Sequence, residues 1–255
     1  MRIALKFAYN GMNYHGLARQ PNVITVEKKI IDSLSKIGLI NEIKKSNFRY
    51  ASRTDKGVSA IGNVLAFDTE YNNDVLKELY YEFEDIVFYG IKSVNPIFNP
   101  RYAKQRIYRY YFKKDKKKIN KLIKIIEIFK GEHDFSNFAR IEPSKKPIKV
   151  IDDILIGERD NLFYIDFYAQ SYLWHQIRKI ISALNKVENC TIGVEDLIQA
   201  LNNPNKKVDY GLSPPEPLLL IDVVYDFDFI YYDKALDKLL KFKNHLLNII
   251  KYHVY

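Results

Sequence analysis

Cysteine is almost missing from this chain, and its scarcity narrows the chemistry that the protein can perform. Cys190 is the only cysteine among 255 residues. A single thiol cannot form an internal disulfide or build a cysteine-based metal cluster, and it suits a reducing compartment such as the cytoplasm. Cys190 also falls between two predicted helices, which is a poor setting for a nucleophilic cysteine.

Metal and phosphate motifs are missing as well. The five histidines show no metal-ligand spacing, so a zinc site such as that of the zinc deaminases is not expected. Gly11 and Gly16 have the spacing of a P-loop, but Leu17-Ala18 follows where Lys and Ser or Thr would be required. We therefore expect no metal and no bound cofactor.

Long apolar runs are the third absence. The first seven residues alternate apolar and polar side chains and lack the apolar core of a signal peptide. No later run approaches the length of a membrane span. These features predict a soluble, cytoplasmic protein with no membrane partner.

Positive charge is what the chain has in excess. Lys and Arg number 40 against 31 Asp and Glu, for a net charge of +9. Such a balance favours a polyanionic partner, because basic side chains release counterions from phosphates on binding. The excess of Lys also has an ordinary explanation. Lys, Ile, Asn and Tyr are all abundant in this chain, as codon bias alone would produce. The basic run at 113–118 likewise fits either an RNA contact or an exposed turn.

Hydrophobic periodicity predicts the elements of the first half. Alternation predicts a strand over 3–7 that ends at Asn10-Gly11. Helical spacing predicts a helix from residue 26 to 37, with Thr25 as N-cap and Gly38 past its end. The other predicted elements are a short strand at 48–51, a strand at 64–67, a helix at 75–83 and a strand at 86–94.

The second half repeats this alternation of strands and helices. Its predicted elements are strands at 106–112, 150–156, 163–169 and 218–227, and helices at 120–129, 173–187, 194–201 and 233–251. In the last helix the predicted apolar face consists of Leu236, Leu239, Leu240, Leu247 and Ile250.

Several strands alternate between apolar and polar side chains instead of being wholly apolar. This pattern favours an α+β fold over a doubly wound parallel sheet. We expect two similar halves, each a mixed or antiparallel sheet with helices on one face and with the active cleft between them. The expected domains are 1–104 and 105–255.

One polar segment is a candidate catalytic loop. Asp55 stands in the run Arg53-Thr54-Asp55-Lys56, between two cations and before Gly57, which permits a sharp turn. On these local features alone, an Asx-turn or cap remains the ordinary interpretation of such an aspartate.

The segment resembles the Arg-Thr-Asp-x-Gly-Val signature of the tRNA pseudouridine synthase A (TruA-type) family. Further blocks that resemble this family follow in family order and cover the chain from Tyr9 to about Leu220. They are residues 9–11 with 14–16, 19–20, 63–69, 101–103, 106–110, 131–138, 171–178 and 214–215. Departures from the family pattern occur at Leu17-Ala18, Ser52, Lys56, Ser59 and Asn99-Pro100.

The resemblance implies roles for named residues. Asp55 would be the catalytic carboxylate, Arg178 the cation that keeps it charged, and Tyr108 the ring that stacks on the target base and helps remove its C5 proton. Arg53 would fill the space left by the flipped nucleotide and hold phosphates. Candidate phosphate contacts are Arg19, Arg49, Lys56 and Arg101. Without the resemblance, Tyr108 would be interpreted as a core aromatic and Arg178 as a surface side chain.

The resemblance further implies a homodimer that binds tRNA across both subunits and modifies uridines in the anticodon arm, at positions 38 to 40. Two alternatives remain open. One is a related synthase that modifies other tRNA positions. The other is a non-catalytic tRNA-binding or chaperone protein that keeps the fold, against which the intact Asp55, Tyr108 and Arg178 argue.

Overall fold

A computed structural model describes residues 1–70, 75–143 and 145–254 of the chain. Its strands are β1 Arg2–Tyr9, β2 Arg49–Tyr50, β3 Ser59–Asp68, β4 Ile86–Val94, β5 Gln105–Lys113, β6 Gly131–Asp134, β7 Ile148–Ile151, β8 Asp153–Arg159, β9 Leu162–Ala169, β10 Leu218–Val224 and β11 Ile230–Tyr231. Its α-helices are α1 Val26–Lys36, α2 Val75–Tyr80, α3 Lys116–Ile126, α4 Gln176–Glu188, α5 Val194–Asn202 and α6 Asp233–Lys251. Short 3₁₀ turns follow at Gly11–Asn13 and Glu127–Phe129.

The chain forms two compact units. The first contains Met1–Lys104 and Leu219–His253, and the second contains Gln105–Leu218. The break at residues 104 and 105 coincides with the expected domain boundary. The terminal segment, however, was expected in the second domain and instead groups with the first unit. Its strands and helix account for this, because β10 pairs with β3, β11 pairs with β4, and α6 packs on β4.

The first unit is built on a mixed sheet in the order β11–β4–β1–β3–β10, with β2 on β3. β1 runs antiparallel to β3 and β4, while β10 runs parallel to β3. Leu219 lies opposite Ser59, at the start of β3. The largest fully buried side chains of the first unit are aromatic and include Phe7, Tyr9, Phe67 and Phe88. Burial of such rings is the main favourable term in folding a core of this kind.

The ends of α1 follow the predicted chemistry. The Thr25 hydroxyl accepts a hydrogen bond from the backbone N–H of Lys28 at 3.3 Å and so caps the first turn. Gly38 takes a φ of +74°, in the left-handed region that favours glycine after a helix end. Local sequence therefore sets both ends of this helix.

The second unit contains an antiparallel sheet in the order β5–β9–β8 and a separate pair, β6 with β7. α3 packs against α4. The core is rich in phenylalanine: Phe129, Phe135, Phe138, Phe163 and Phe167 are all fully buried. Together the mixed and antiparallel sheets with helices confirm the α+β class.

The predicted strand at 150–156 is wrong in one respect, because it is two strands. β7 pairs with β6, and β8 pairs with β9. The break falls at Asp152, whose backbone N–H donates to the Tyr168 carbonyl at 2.7 Å. Asp152-Asp153 interrupt the apolar residues at the break, but two polar residues in a row do not reveal that the chain changes its partner strand. β6 and β11 were not predicted.

Helix boundaries also differ from the predictions. α3 begins at Lys116 rather than residue 120, because the Asp115 carboxylate caps it and accepts from Lys117 N–H at 2.8 Å. α4 begins at Gln176, so Leu173 precedes it. β10 ends at Val224 and α2 at Tyr80, each short of the predicted end.

The predicted apolar face of α6 is only partly buried. Leu240 is 60% exposed and Leu236 is also exposed. The buried side consists of Ala235, Leu239, Phe242, Leu246, Leu247 and Ile250. One side of this helix packs on β4, and the two exposed leucines lie off that side. Across the described residues, no helix is long and apolar enough to cross a membrane.

Candidate active site

Asp55 lies in the loop that connects β2 to β3, and its side chain is half-buried. The loop closes in a tight turn in which the Val58 N–H donates to the Asp55 carbonyl at 3.1 Å. Gly57 supplies the positive φ of this turn, +85°. The predicted catalytic residue therefore sits in a turn fixed by its own backbone.

Two glycines hold a neighbouring segment directly against the loop. A Cβ on Gly11 would lie 1.9 Å from the Val58 carbonyl oxygen, and a Cβ on Gly16 would lie 3.1 Å from the Thr54 carbonyl oxygen. Backbone hydrogen bonds use this closeness: Leu17 N–H donates to Thr54 O at 3.1 Å, and Gly57 N–H donates to Gly11 O at 3.3 Å. Gly11 and Gly16 thus have the task of clamping the Asp55 loop.

Buried polar side chains support the loop from below. The hydroxyls of Tyr9 and Thr54 lie 2.8 Å apart in a hydrogen bond. The Asn63 amide donates to the Ser52 carbonyl at 3.0 Å. Both bonds are buried, where a lost partner costs about 1–3 kcal/mol. Thr54, the residue before Asp55, is therefore anchored through its hydroxyl by Tyr9 and through its carbonyl by the Leu17 N–H.

Ser59 adds one more contact to this support. Its hydroxyl accepts a hydrogen bond from the Gly11 N–H at 2.9 Å, in a buried position. Ser59 is one of the departures from the family pattern noted in the sequence, and here it satisfies a buried backbone donor.

Basic side chains occur within the Asp55 loop and elsewhere in the first unit. The exposed ones are Arg19, Arg49, Arg53, Lys56 and Arg101, the predicted phosphate and nucleotide contacts. Arg19 is oriented by Glu27, whose carboxylate accepts from the Arg19 backbone N–H at 2.8 Å and lies 3.4 Å from its Nε. Arg49 donates to the carbonyl of its neighbour Phe48 at 3.0 Å.

Tyr50 brings two of these arginines to one place. The Arg101 guanidinium lies 5.8 Å from the centre of the Tyr50 ring. Burial and the negative charge of Glu27 raise the pKa of Tyr50, while Arg101 and Arg53 act to lower it. Tyr50 therefore lies within electrostatic reach of both guanidiniums.

In the second unit, Tyr108 lies on β5 and is 8% exposed. Its ring packs edge-on against Tyr172, with 5.3 Å between ring centres and 86° between ring planes. The Tyr172 hydroxyl donates to the Arg106 carbonyl at 3.4 Å. Tyr108 shares its buried strand face with Arg106 and Tyr110, as alternation predicted.

Arg178 lies in the first turn of α4 and is 9% exposed, so it is not the surface side chain that its helical position alone suggested. Its Nε donates to the Ser213 carbonyl at 2.8 Å, and the Ser213 N–H returns a bond to the Arg178 carbonyl at 3.3 Å. The Tyr110 hydroxyl donates to the next carbonyl, that of Pro214, at 3.1 Å. The Pro-rich segment thus fixes the guanidinium.

Sequence reasoning gave these supporting residues no task, although Tyr9, Gly11 and Gly16 lie in blocks that resemble the family. Tyr9, Gly11 and Gly16 support the Asp55 loop, and Ser213 supports Arg178. The spacing of residues carries no signal for the first group, because Tyr9, Gly11 and Gly16 lie far along the chain from Asp55. Asn137 has a purely structural task, because its amide bonds Ala200 O and its carbonyl oxygen accepts from Val208 N–H.

Among the residues that the structure describes, no three His, Cys, Asp or Glu side chains gather in a way that could hold a metal ion. The Asp55 loop instead contains the cations Arg53 and Lys56 and is bonded by backbone amides and by the Tyr9 hydroxyl. Such a set binds anions and positions a carboxylate.

Comparison with known proteins gives the class. A family model described as tRNA pseudouridine synthase matches residues 125–226. A protein of Thermococcus sibiricus named tRNA pseudouridine synthase A is 42% identical over 232 residues, covering 89% of this chain and 85% of that protein. Proteins of the same name from Pyrococcus furiosus and Methanobrevibacter smithii are 38% and 35% identical, over 99% and 97% of this chain and 94% and 90% of theirs.

The chain therefore belongs to the tRNA pseudouridine synthase A family, a family of isomerases. Among solved structures, a chain from a Cbf5–Nop10–Gar1 complex aligns with a TM-score of 0.34 and 13% identity, over 70% of this chain and 43% of that one.

Proposed function

We propose that this enzyme converts uridine to pseudouridine in tRNA and that Asp55 is its catalytic carboxylate. The observation that carries the proposal is the clamp on the Asp55 loop, in which Gly11 and Gly16 bring backbone to within hydrogen-bond distance. A turn held on several sides keeps a catalytic group in place without cost at the moment of reaction.

The reaction suits a single carboxylate. The bond between uracil N1 and ribose C1′ breaks, the base rotates, and a bond forms between C5 and C1′. N1 gains a proton, C5 loses one, and no oxidation state changes. A carboxylate stabilises or traps the electron-deficient C1′, as it does in retaining glycosidases.

Arg178 is the cation that we assign to the carboxylate. Burial disfavours an ionised carboxyl group, so a catalytic aspartate needs a fixed positive charge. The Ser213 carbonyl supports this role, because it orients the guanidinium through Nε, one of five N–H donors.

Tyr108 is the aromatic partner that we assign to the target base. Its ring would stack on the uracil, and its phenol would help to remove the C5 proton. The edge-on packing of Tyr172 supports the assignment, since it holds the Tyr108 ring at a fixed angle.

The basic side chains around the loop would bind the RNA backbone. We assign Arg53 both to the space left by the flipped uridine and to a phosphate, and Arg19, Arg49, Lys56 and Arg101 to phosphates. Flipping a nucleotide costs a few kcal/mol, which such contacts offset. The exposure of these five side chains and the net charge of +9 support the assignment.

The target uridines in this proposal are those at positions 38 to 40 of the anticodon arm, and the active form is a cytoplasmic homodimer. Unmodified tRNA transcripts, treated with the enzyme and mapped by carbodiimide-primed reverse transcription, should show new stops at these positions. Stops elsewhere would overturn the positional assignment alone, while their absence across a varied tRNA set would overturn the activity. Light scattering of the purified protein tests the dimer, and a monomeric mass would contradict it.

A further inference from the structure

Trp174 is the only tryptophan of the chain, and it is 40% exposed. It immediately precedes His175, the N-cap of α4, and lies one turn before Arg178. The Arg140 guanidinium covers the indole at 4.2 Å from the ring centre. A single exposed aromatic side chain is common on protein surfaces, so exposure alone says little. The backbone around this one is what sets it apart.

The turn that presents Trp174 is held in an unfavourable conformation. His175 has a φ of +63°, in the left-handed region that residues other than glycine rarely occupy. The Arg140 N–H donates to the Trp174 carbonyl at 2.8 Å, and the Leu173 N–H donates to the buried Gln176 carboxamide at 2.8 Å. Conformations of this kind cluster at functional sites.

A lysine contacts the segment that leads into this turn. The Lys149 ammonium donates to the Ser171 hydroxyl at 3.0 Å. Burial, together with the nearby charges of Lys145 and Arg106, lowers the pKa of Lys149. An anion that enters beside Lys149 would stabilise its charged form against these neighbouring positive charges. An RNA backbone is such an anion.

We propose that Trp174 and Arg140 form a stacking platform for an unpaired RNA base beside the target uridine. The inference rests on the proposed function. Indole and guanidinium planes are the two surfaces on which proteins stack single-stranded bases, and basic side chains follow the backbone alongside. Trp174 stands two residues from Tyr172, whose ring packs against Tyr108. The Cα atoms of Trp174 and Tyr172 are therefore at most about 7 Å apart. A neighbouring nucleotide can span this distance.

The single tryptophan makes a direct experiment possible. Emission is excited at the red edge of the indole band, where tyrosine does not absorb, while unmodified tRNA transcript is added to the Asp55→Ala variant. Stacking should quench the emission at the RNA concentration that saturates binding. Inorganic polyphosphate, which has charge but no bases, should leave it unchanged, and free tryptophan corrects for absorption by the RNA.

Matched variants test the same point by affinity. Trp174→Leu removes the ring and should weaken tRNA binding about 5- to 150-fold, the usual effect of losing one stacked base. Trp174→Phe keeps a ring and should lose much less. Arg140→Lys keeps the charge but loses the planar guanidinium, so its tRNA affinity should lie between those of Trp174→Leu and Trp174→Phe. Tyr81→Leu, at an exposed aromatic in the first unit, should bind as the wild type does.

The outcomes separate the two proposals. Unchanged emission during saturating tRNA binding, or equal affinity of Trp174→Leu and the wild type, would overturn the platform while pseudouridine formation still stands. Quenching by polyphosphate as strong as that by tRNA would also overturn it. Failure of the wild type to form any pseudouridine would remove the proposed function instead.

Discussion

The backbone of Gly11 lies so close to the Asp55 loop that a Cβ on it would sit 1.9 Å from the carbonyl oxygen of Val58. Both the neighbouring atom and its support are backbone, so no side chain can swing aside to make room. The position therefore demands glycine because of space, whereas Gly38 demands it because of its φ of +74° and has no atom within 4 Å of a Cβ.

Gly11→Ala and Gly38→Ala should consequently behave differently. Gly11→Ala should push the loop away, lower the free energy of unfolding by about 3 kcal/mol or more, and abolish pseudouridine formation. Gly38→Ala should cost about 1–2 kcal/mol through backbone strain and keep its activity. Denaturant unfolding and turnover assays on both variants provide the measurement. Full activity in Gly11→Ala would show that the loop does not depend on this contact.

The Tyr9–Thr54 hydrogen bond should show non-additive energetics. Tyr9→Phe and Thr54→Val should each destabilise by about 1–3 kcal/mol, because each leaves one buried hydroxyl without this partner. The double variant should cost less than the sum, because it removes both hydroxyls. A double-mutant cycle from urea unfolding measures the coupling. Strict additivity would mean that the two groups do not support each other.

Tyr50→Phe should weaken RNA binding without harming the fold. The change keeps the ring but removes the hydroxyl that bonds Arg101. We expect a loss of a few-fold in tRNA affinity, about 0.5–1 kcal/mol, since Arg101 is exposed and less firmly placed. Tyr81→Phe, far from this cluster in sequence, is the matched control. Equal tRNA affinity for Tyr50→Phe and the wild type would contradict a positioning role.

Affinity for tRNA should fall steeply as salt is added. Each phosphate neutralised contributes about 0.7–0.9 to the slope of log K against log salt. Arg53→Gln and Arg101→Gln should each reduce the slope by about one. Titrations at several salt concentrations measure this directly. A flat response in the wild type would mean that phosphate contacts do not dominate recognition.

Local signals predicted most of the elements, because each is specified by its own residues. Helix α1 was predicted from periodicity and from Thr25 and Gly38 at its ends, and strand β4 from its β-branched and aromatic residues. The break at Asp152 was not found, because it depends on which strand lies alongside. The terminal segment was assigned to the wrong unit for the same reason, since pairing of β10 with β3 is a long-range contact.

The candidate site divides in a similar way. Asp55 was identified through its motif, and the motif also predicted a turn at Gly57. The contact of Gly11 with the Asp55 loop and the bond between Ser213 and Arg178 could not be predicted. Both join segments that are far apart in sequence, and the spacing of residues does not specify such contacts.

Asp55 is the central claim, and one comparison tests it most directly. Asp55→Ala and the wild type are each mixed with unmodified tRNA, with enzyme in excess over the RNA. The pseudouridine formed in a single turnover is then counted. We predict that the variant binds tRNA at least as well as the wild type, because a negative charge is removed, yet forms no pseudouridine. Pseudouridine formation by Asp55→Ala at the wild-type rate would contradict the account.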